Sequence, residues 1–197
     1  MNNKRIDGKT GFPDRHGLYD PALEKDSCGV GFVANVKGIP SHEILTDANH
    51  INERMDHRGG CGFEENTGDG AGIMTAIPHK FMQKIAADLG ITLPAVGTYS
   101  VGNIFWPQDP AKRQALKASF TAALTAEGLT VLGYRDVPTR PDHANLGPAA
   151  RDGMPFIEQV IVGVGSLGDH RFDHALYVAR KRFTREAKQR YPDDLVY

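Results

Sequence analysis

The spacing of apolar residues changes repeatedly along the chain, and each change marks an expected element. Cys28-Gly-Val-Gly-Phe-Val-Ala-Asn-Val36 is nearly all apolar and short, as a strand buried on both faces would be. Behind Ser41, a capping hydroxyl, Ile44, Leu45, Ala48, Ile51 and Met55 fall at helical spacing. Residues 73–77 read as a short strand ended by Pro78, and residues 81–89 as a helix stopped by Gly90. Residues 96–106 read as a strand. Asp109-Pro110 then sets a capping carboxylate before a proline at the first helical position. The helix it opens carries Leu116, Phe120, Ala123 and Leu124 on one face and meets Gly128 at its end. Residues 129–137 and 156–164 read as strands separated by a loop rich in Pro, Gly and Asp. Phe172, Ala175, Leu176, Ala179, Phe183 and Ala187 mark a long amphipathic helix, and Leu195-Val196-Tyr197 begins another strand-like run. No internal repeat and no low-complexity segment interrupts this order. Strands and helices mixed without strict βαβ alternation predict an α+β layered domain.

Two stretches follow neither period. Residues 1–27 carry Gly8, Gly11, Pro13, Gly17 and Pro21 among mixed charges and read as an extended leader. Residues 57–72 are dense in glycine, which permits positive φ and close backbone approach. Composition narrows the function classes. The 197 residues carry 23 Lys+Arg against 24 Asp+Glu, a net charge of −1, so no global field favours nucleic acid or an anionic membrane. No apolar run approaches the roughly 20 residues needed to cross a bilayer, and the start lacks a secretory hydrophobic segment. Two cysteines make neither a disulfide framework nor a four-cysteine metal site. The expectation is a soluble cytoplasmic protein without membrane or nucleic-acid partners.

Cys28 holds the most chemistry. Inside an apolar strand, cysteine is ordinarily a small buried hydrophobe. Yet it stands at a sharp boundary, after Lys25-Asp-Ser27 and beside Gly29 and Gly31. Cleavage between Ser27 and Cys28 would give it a free α-amine with a pKa near about 7.7–8.0, beside a thiol near about 8.5. One residue would then unite nucleophile and base, with glycines leaving space beside the sulfur for an amide substrate. Cys61 has neither a Cys-x-x-Cys partner nor a close His pair and reads as loop packing. His170 and His174, four apart, are the sole metal-like spacing and lack a third ligand, so no metal is expected. Gly163-Val-Gly-Ser-Leu-Gly168 follows a strand and precedes a helix, as a dinucleotide-binding turn does. Asp169 argues against it, because it would set a carboxylate where a pyrophosphate needs positive field. Arg180, Lys181, Arg182, Arg185, Lys188 and Arg190 make the last helix basic. They lie mostly off its apolar stripe, and a solvated face without interleaved aromatics is the ordinary account.

Several segments together resemble one family. Gly17-Leu-Tyr-Asp-Pro-Ala-Leu-Glu-Lys-Asp-Ser-Cys-Gly-Val-Gly-Phe-Val33 resembles the propeptide junction and first strand of the large subunit of glutamate synthase. Met55-Asp-His-Arg-Gly59, Thr67-Gly-Asp-Gly-Ala-Gly72 and Val131-Leu-Gly-Tyr-Arg-Asp-Val-Pro138 are similar to further signatures of that family. So are Met154-Pro-Phe-Ile-Glu-Gln159 and Tyr177-Val-Ala-Arg-Lys-Arg182.

The resemblance implies a class II glutamine amidotransferase of the N-terminal-nucleophile hydrolase type. Residues 1–27 would be a propeptide, and residues 28–197 the N-terminal portion of a four-layer αββα sandwich, incomplete at its C-terminus. It implies Cys28 as the nucleophile freed by cleavage after Ser27, attacking the glutamine side-chain amide. Arg58 would take a positioning role, on the cysteine's surroundings or on bound ligand, and Asp69 would shape the same pocket with Gly29 and Gly31. The glycine turn at 163–168 becomes a strand–helix connection. FMN and an iron–sulfur cluster are implied for the rest of the large chain, where ammonia meets 2-oxoglutarate, and a small subunit is a further implied partner. The domain is expected to continue past residue 197, to an Asn-Gly oxyanion pair and an arginine for the substrate carboxylate. The 197-residue chain alone is therefore expected to be poorly soluble, with little glutaminase activity. The alternatives are an inactive fragment or interaction module, and another class II amidotransferase. Gly133-Tyr-Arg-Asp-Val-Pro138 argues against the latter.

Overall fold

In the computed structural model, residues 16–17, 29–55, 70–167 and 171–192 are described. The chain divides into two units, Met1–Phe63 with Gly68–Ile73, and Glu64–Thr67 with Met74–Tyr197.

In the first unit the defined element is α1, His42–Arg54. Ser41 caps it as expected, its Oγ accepting the Ile44 N–H at 3.4 Å. The stripe Ile44, Ala48, Ile51 and Met55 is partly buried, but no residue of α1 is fully buried. The expected strand over 28–36 is not found. Residues 29–35 are irregular, and Phe32 is 91% exposed. A strand buried on both faces needs neighbours at both edges, and among the described residues nothing pairs with this segment. Residues 73–77 are likewise irregular rather than a strand, with Met74 wholly exposed.

The second unit follows the sequence closely. It contains α2 (His79–Asp88), β1 (Tyr99–Trp106), α3 (Pro110–Ala126), β2 (Thr130–Asp136), α4 (Pro148–Asp152), β3 (Phe156–Gly163) and α5 (Phe172–Arg190). Asp109 caps α3, its Oδ1 accepting the N–H groups of Ala111 and Lys112 at 2.8 and 3.1 Å. Both α2 and α3 stop on a left-handed glycine, Gly90 at φ +67° and Gly128 at φ +80°. The next residue closes each end: Ile91 N–H donates to the Ala86 carbonyl at 2.8 Å, and Leu129 N–H to that of Leu124 at 3.0 Å. This is the double-bonded glycine stop that the two sequences predict.

The strands form one antiparallel sheet in the order β1-β3-β2. β1, α3 and β2 are therefore a split crossover, with β3 inserted between its strands. α3 and α5 cover one face, where Trp106, Leu116, Phe120, Val160, Ala179 and Phe183 belong to the main core. α2 covers part of the other, where Met82, Ile85, Tyr99 and Ile161 form a smaller cluster. A register slip between Val131 and Gly133 adds one residue to β2. Leu132 consequently faces the smaller cluster, while Val131 and Tyr134 both turn toward the helices.

Candidate functional site

Gly31 is the described residue closest to the expected nucleophile for which the structure gives a packing reason. A Cβ placed there would stand 2.6 Å from Ile51 Cγ2 and 2.9 Å from Met55 Cε. Glycine at 31 thus lets the segment after Cys28 lie against the last turns of α1. Met55 in turn directly precedes Asp56-His-Arg58. Gly29 lies in exposed, irregular backbone. From the glycine-dense loop, Gly70 and Gly72 have open space around them, so close approach explains glycine at 31 and not at these two. Ser27, Cys28, Arg58, Cys61 and Asp69 lie outside the described residues.

The structure adds a polar cluster that sequence reasoning missed. Glu158 on β3 is buried, and its Oε2 accepts the indole N–H of Trp106 on β1 at 2.9 Å. Its Oε1 accepts from Lys117 Nζ on α3 at 2.6 Å. The same ammonium lies 4.0 Å from the ring centroid of Tyr134 on β2, and the Tyr134 hydroxyl meets Thr121 Oγ1 at 3.0 Å. Burial pushes the Tyr134 hydroxyl above the ordinary phenol pKa. The Thr121 hydrogen bond opposes that shift, and the Glu158 charge adds to it. A lone carboxylate in an apolar run is the signal that could have revealed Glu158. Enclosed by indole and ammonium, it ties all three strands to α3 and leaves little surface for a substrate.

The opposite face carries a second polar feature. Asn103, Gln159 and Arg135 are direct cross-strand partners. Arg135 donates to Gln159 Oε1 at 3.2 Å, and Gln159 Nε2 donates to Asn103 Oδ1 at 3.0 Å. Tyr134, Arg135, Glu158 and Gln159 are all signature positions, so adjacent residues of each motif serve opposite faces of one sheet, as strand alternation requires.

Among the described residues of the turn after β3, three backbone N–H groups are already paired within the fold. Val164 N–H donates to the Thr98 carbonyl at 3.1 Å, Ser166 N–H to that of Gly128 at 3.1 Å, and Leu167 N–H to that of Val164 at 3.2 Å. Gly165, at φ +61°, sits against the Gly128 backbone. The glycines here make a close strand–helix corner; Gly168, Asp169 and His170 lie outside the described residues. His79 Nδ1 is 2.9 Å from the buried Tyr99 hydroxyl, whose pKa burial raises. Among the described residues no group of three or more His, Cys, Asp or Glu could hold a metal, and no helix is long and apolar enough to cross a membrane.

Comparison with known proteins places these features in a family. The family model for class-II glutamine amidotransferases matches residues 28–197. The chain is 44% identical over 179 residues to glutamate synthase [NADH] of Schizosaccharomyces pombe, covering 87% of this chain and 8% of that protein. It is 40% identical over 159 residues to ferredoxin-dependent glutamate synthase 2 of Synechocystis, covering 80% of this chain and 10% of the relative. It is 38% identical over 173 residues to the glutamate synthase [NADPH] large chain of Bacillus subtilis, covering 87% and 11%. The chain thus spans about a tenth of the length of these relatives. With its α+β architecture, its signature positions on one sheet and a match over residues 28–197, the chain belongs to the class-II glutamine amidotransferases.

Proposed function

We propose that this chain is the glutaminase portion of a glutamate synthase large subunit, with Cys28 as its N-terminal nucleophile once residues 1–27 are removed. The observation that carries the reading is the family match beginning at residue 28, together with similarity to glutamate synthases along most of the chain. The α-amine of Cys28 takes the thiol proton, directly or through a water. The thiolate then attacks the carboxamide carbon of glutamine, and the C–N bond breaks as nitrogen leaves with a proton as ammonia. Water hydrolyses the resulting thioester, releasing glutamate and restoring the thiol. The Gly31 contact with α1 supports a pocket in which Arg58, three residues beyond Met55, orients the cysteine's surroundings or the ligand, and Asp69 shapes the wall.

The sheet with α3 and α5 on one face would supply two layers of an αββα sandwich, and the partly uncovered opposite face suits a second sheet. Ammonia would pass to the rest of the large chain for transfer to 2-oxoglutarate, with FMN and an iron–sulfur cluster supplying electrons there and a small subunit as a further partner. The relatives are named for NADH, NADPH and ferredoxin, so similarity in this region does not single out one donor. We place the protein in the cytoplasm.

Intact-mass measurement of the full-length protein, before and after a glutamine-mimicking chloroketone, tests the assignment. The expected result is a mature chain starting at Cys28 that gains one adduct on that residue. Cys28→Ala should take up no adduct there and release no glutamate. A mature active enzyme retaining Met1, or an adduct confined to Cys61, would overturn it.

A further inference from the structure

We propose that the outer face of α5 is a docking surface for an acidic helix of a partner protein. Lys181, Arg185 and Lys188 are exposed on the side of α5 turned away from Phe172, Ala179 and Phe183, which are buried, and Arg180 is exposed on the flank of that side. They share this side with Tyr177, an aromatic left 55% exposed. The Arg180 guanidinium and Lys181 ammonium each lie 5.7 Å from its ring centroid.

Two observations set this face apart from an ordinary solvated one. A solvent-facing helix is usually laced with opposite charges three or four residues apart. Here Lys181 and Arg185 are four apart, and Arg185 and Lys188 three apart, so neighbours on the face repel. Among the described residues, none of these four cations has an ion-pair partner. Other charges of the helix are used inward: Arg182 lies 3.6 Å from Glu127, and Glu186 accepts from Ser119 Oγ at 2.8 Å. The acid on the cationic side, Asp173, sits in the first turn, ahead of the stripe. The whole chain has a net charge of −1, so the concentration of positive charge is local.

The shape selects the partner. From Lys181 to Lys188 the stripe runs for about 10 Å along one side of the helix. Carboxylates three or four residues apart on a second helix would meet these cations in register, with the Tyr177 ring as apolar anchor. A single aromatic at one end offers no succession of rings on which bases could stack. This reading is independent of the amidotransferase assignment.

Fluorescence anisotropy with the full-length protein tests it. The probe is a labelled, alanine-rich helical peptide carrying glutamates at i, i+4 and i+7 beside one leucine, compared with a single-stranded oligothymidine of equal charge. The expected result is peptide binding tighter than oligothymidine binding in the same buffer. Joint Lys181→Glu, Arg185→Glu and Lys188→Glu should weaken peptide binding by at least about tenfold, while Lys181→Arg with Lys188→Arg holds it within about twofold. Circular dichroism confirms that the variants retain their helices. If the triple reversal unfolds the chain, Lys181→Gln with Lys188→Gln replaces it and should weaken binding several-fold. No peptide binding by the wild type, equal binding by the charge-altered variants, or tighter binding of oligothymidine would each overturn the proposal.

Discussion

Lys117 and Glu158 meet where charge is most sensitive to environment. The carboxylate is buried and the ammonium about a quarter exposed, so the pair sits where water screens it only in part. Replacing Lys117 by Met leaves Glu158 with the Trp106 indole alone, and we expect a loss of about 3 kcal/mol in a urea melt. Asn at 103 should be far more tolerant of change, since its hydrogen bond with Gln159 is exposed. Tyr99 and Tyr134 add an alkaline signature. Both phenols are raised chiefly by burial, so the folded state holds their protons longer than the unfolded state does. Their contribution to stability is complete below the unfolded value near about 10 and is lost as pH rises through the folded one. Ultraviolet titration should show Tyr99 and Tyr134 ionising late and together with loss of structure. Ionisation of both in the intact protein at the ordinary phenol pKa of about 10 would contradict this.

At the scale of elements, the same short code was read correctly in some places and not in others. Caps and stops are local chemistry. Asp109 with Pro110, Ser41, Gly90 and Gly128 marked helix boundaries that the structure places within two residues. The strands at 99–106, 130–136 and 156–163 were equally legible, because each carries its own apolar run. The stretches at 29–36 and 73–77 carry similar runs and form no strand, since a strand exists by its neighbours and apolar content cannot name them. The bulge in β2 was also invisible, although it decides that Tyr134 faces the helices. Gly31 gives the element scale its own test. Gly31→Ala presses a methyl against the stiff Ile51 side chain, and we expect a cost of about 1–3 kcal/mol in the first unit. Limited proteolysis near α1 should quicken accordingly, and Ile51→Ala in the same chain should relieve part of the effect. An unchanged cleavage rate in Gly31→Ala would show that the contact is soft.

Across the whole molecule, the described residues of the two units differ in how much they bury. No residue of α1 is fully buried, whereas α3 and α5 contribute four and five buried residues to a shared core. Amide hydrogen exchange should therefore be fast along 42–54 and slowest in β3 and the facing turns of α3 and α5. Equal protection of α1 and α3 would refute that ranking. The amino-acid order by itself determined the α+β class, the helix ends and the core stripes. These follow from spacing and backbone freedom, both of which act over a few residues. Tertiary structure alone decided that Glu158 finds Lys117 and Trp106, that Arg135 joins Gln159, and that Gly31 yields its space to Ile51 and Met55. Those outcomes depend on which distant segments share a face, and the energy of a buried charge or a tight contact exists only once that partner has arrived.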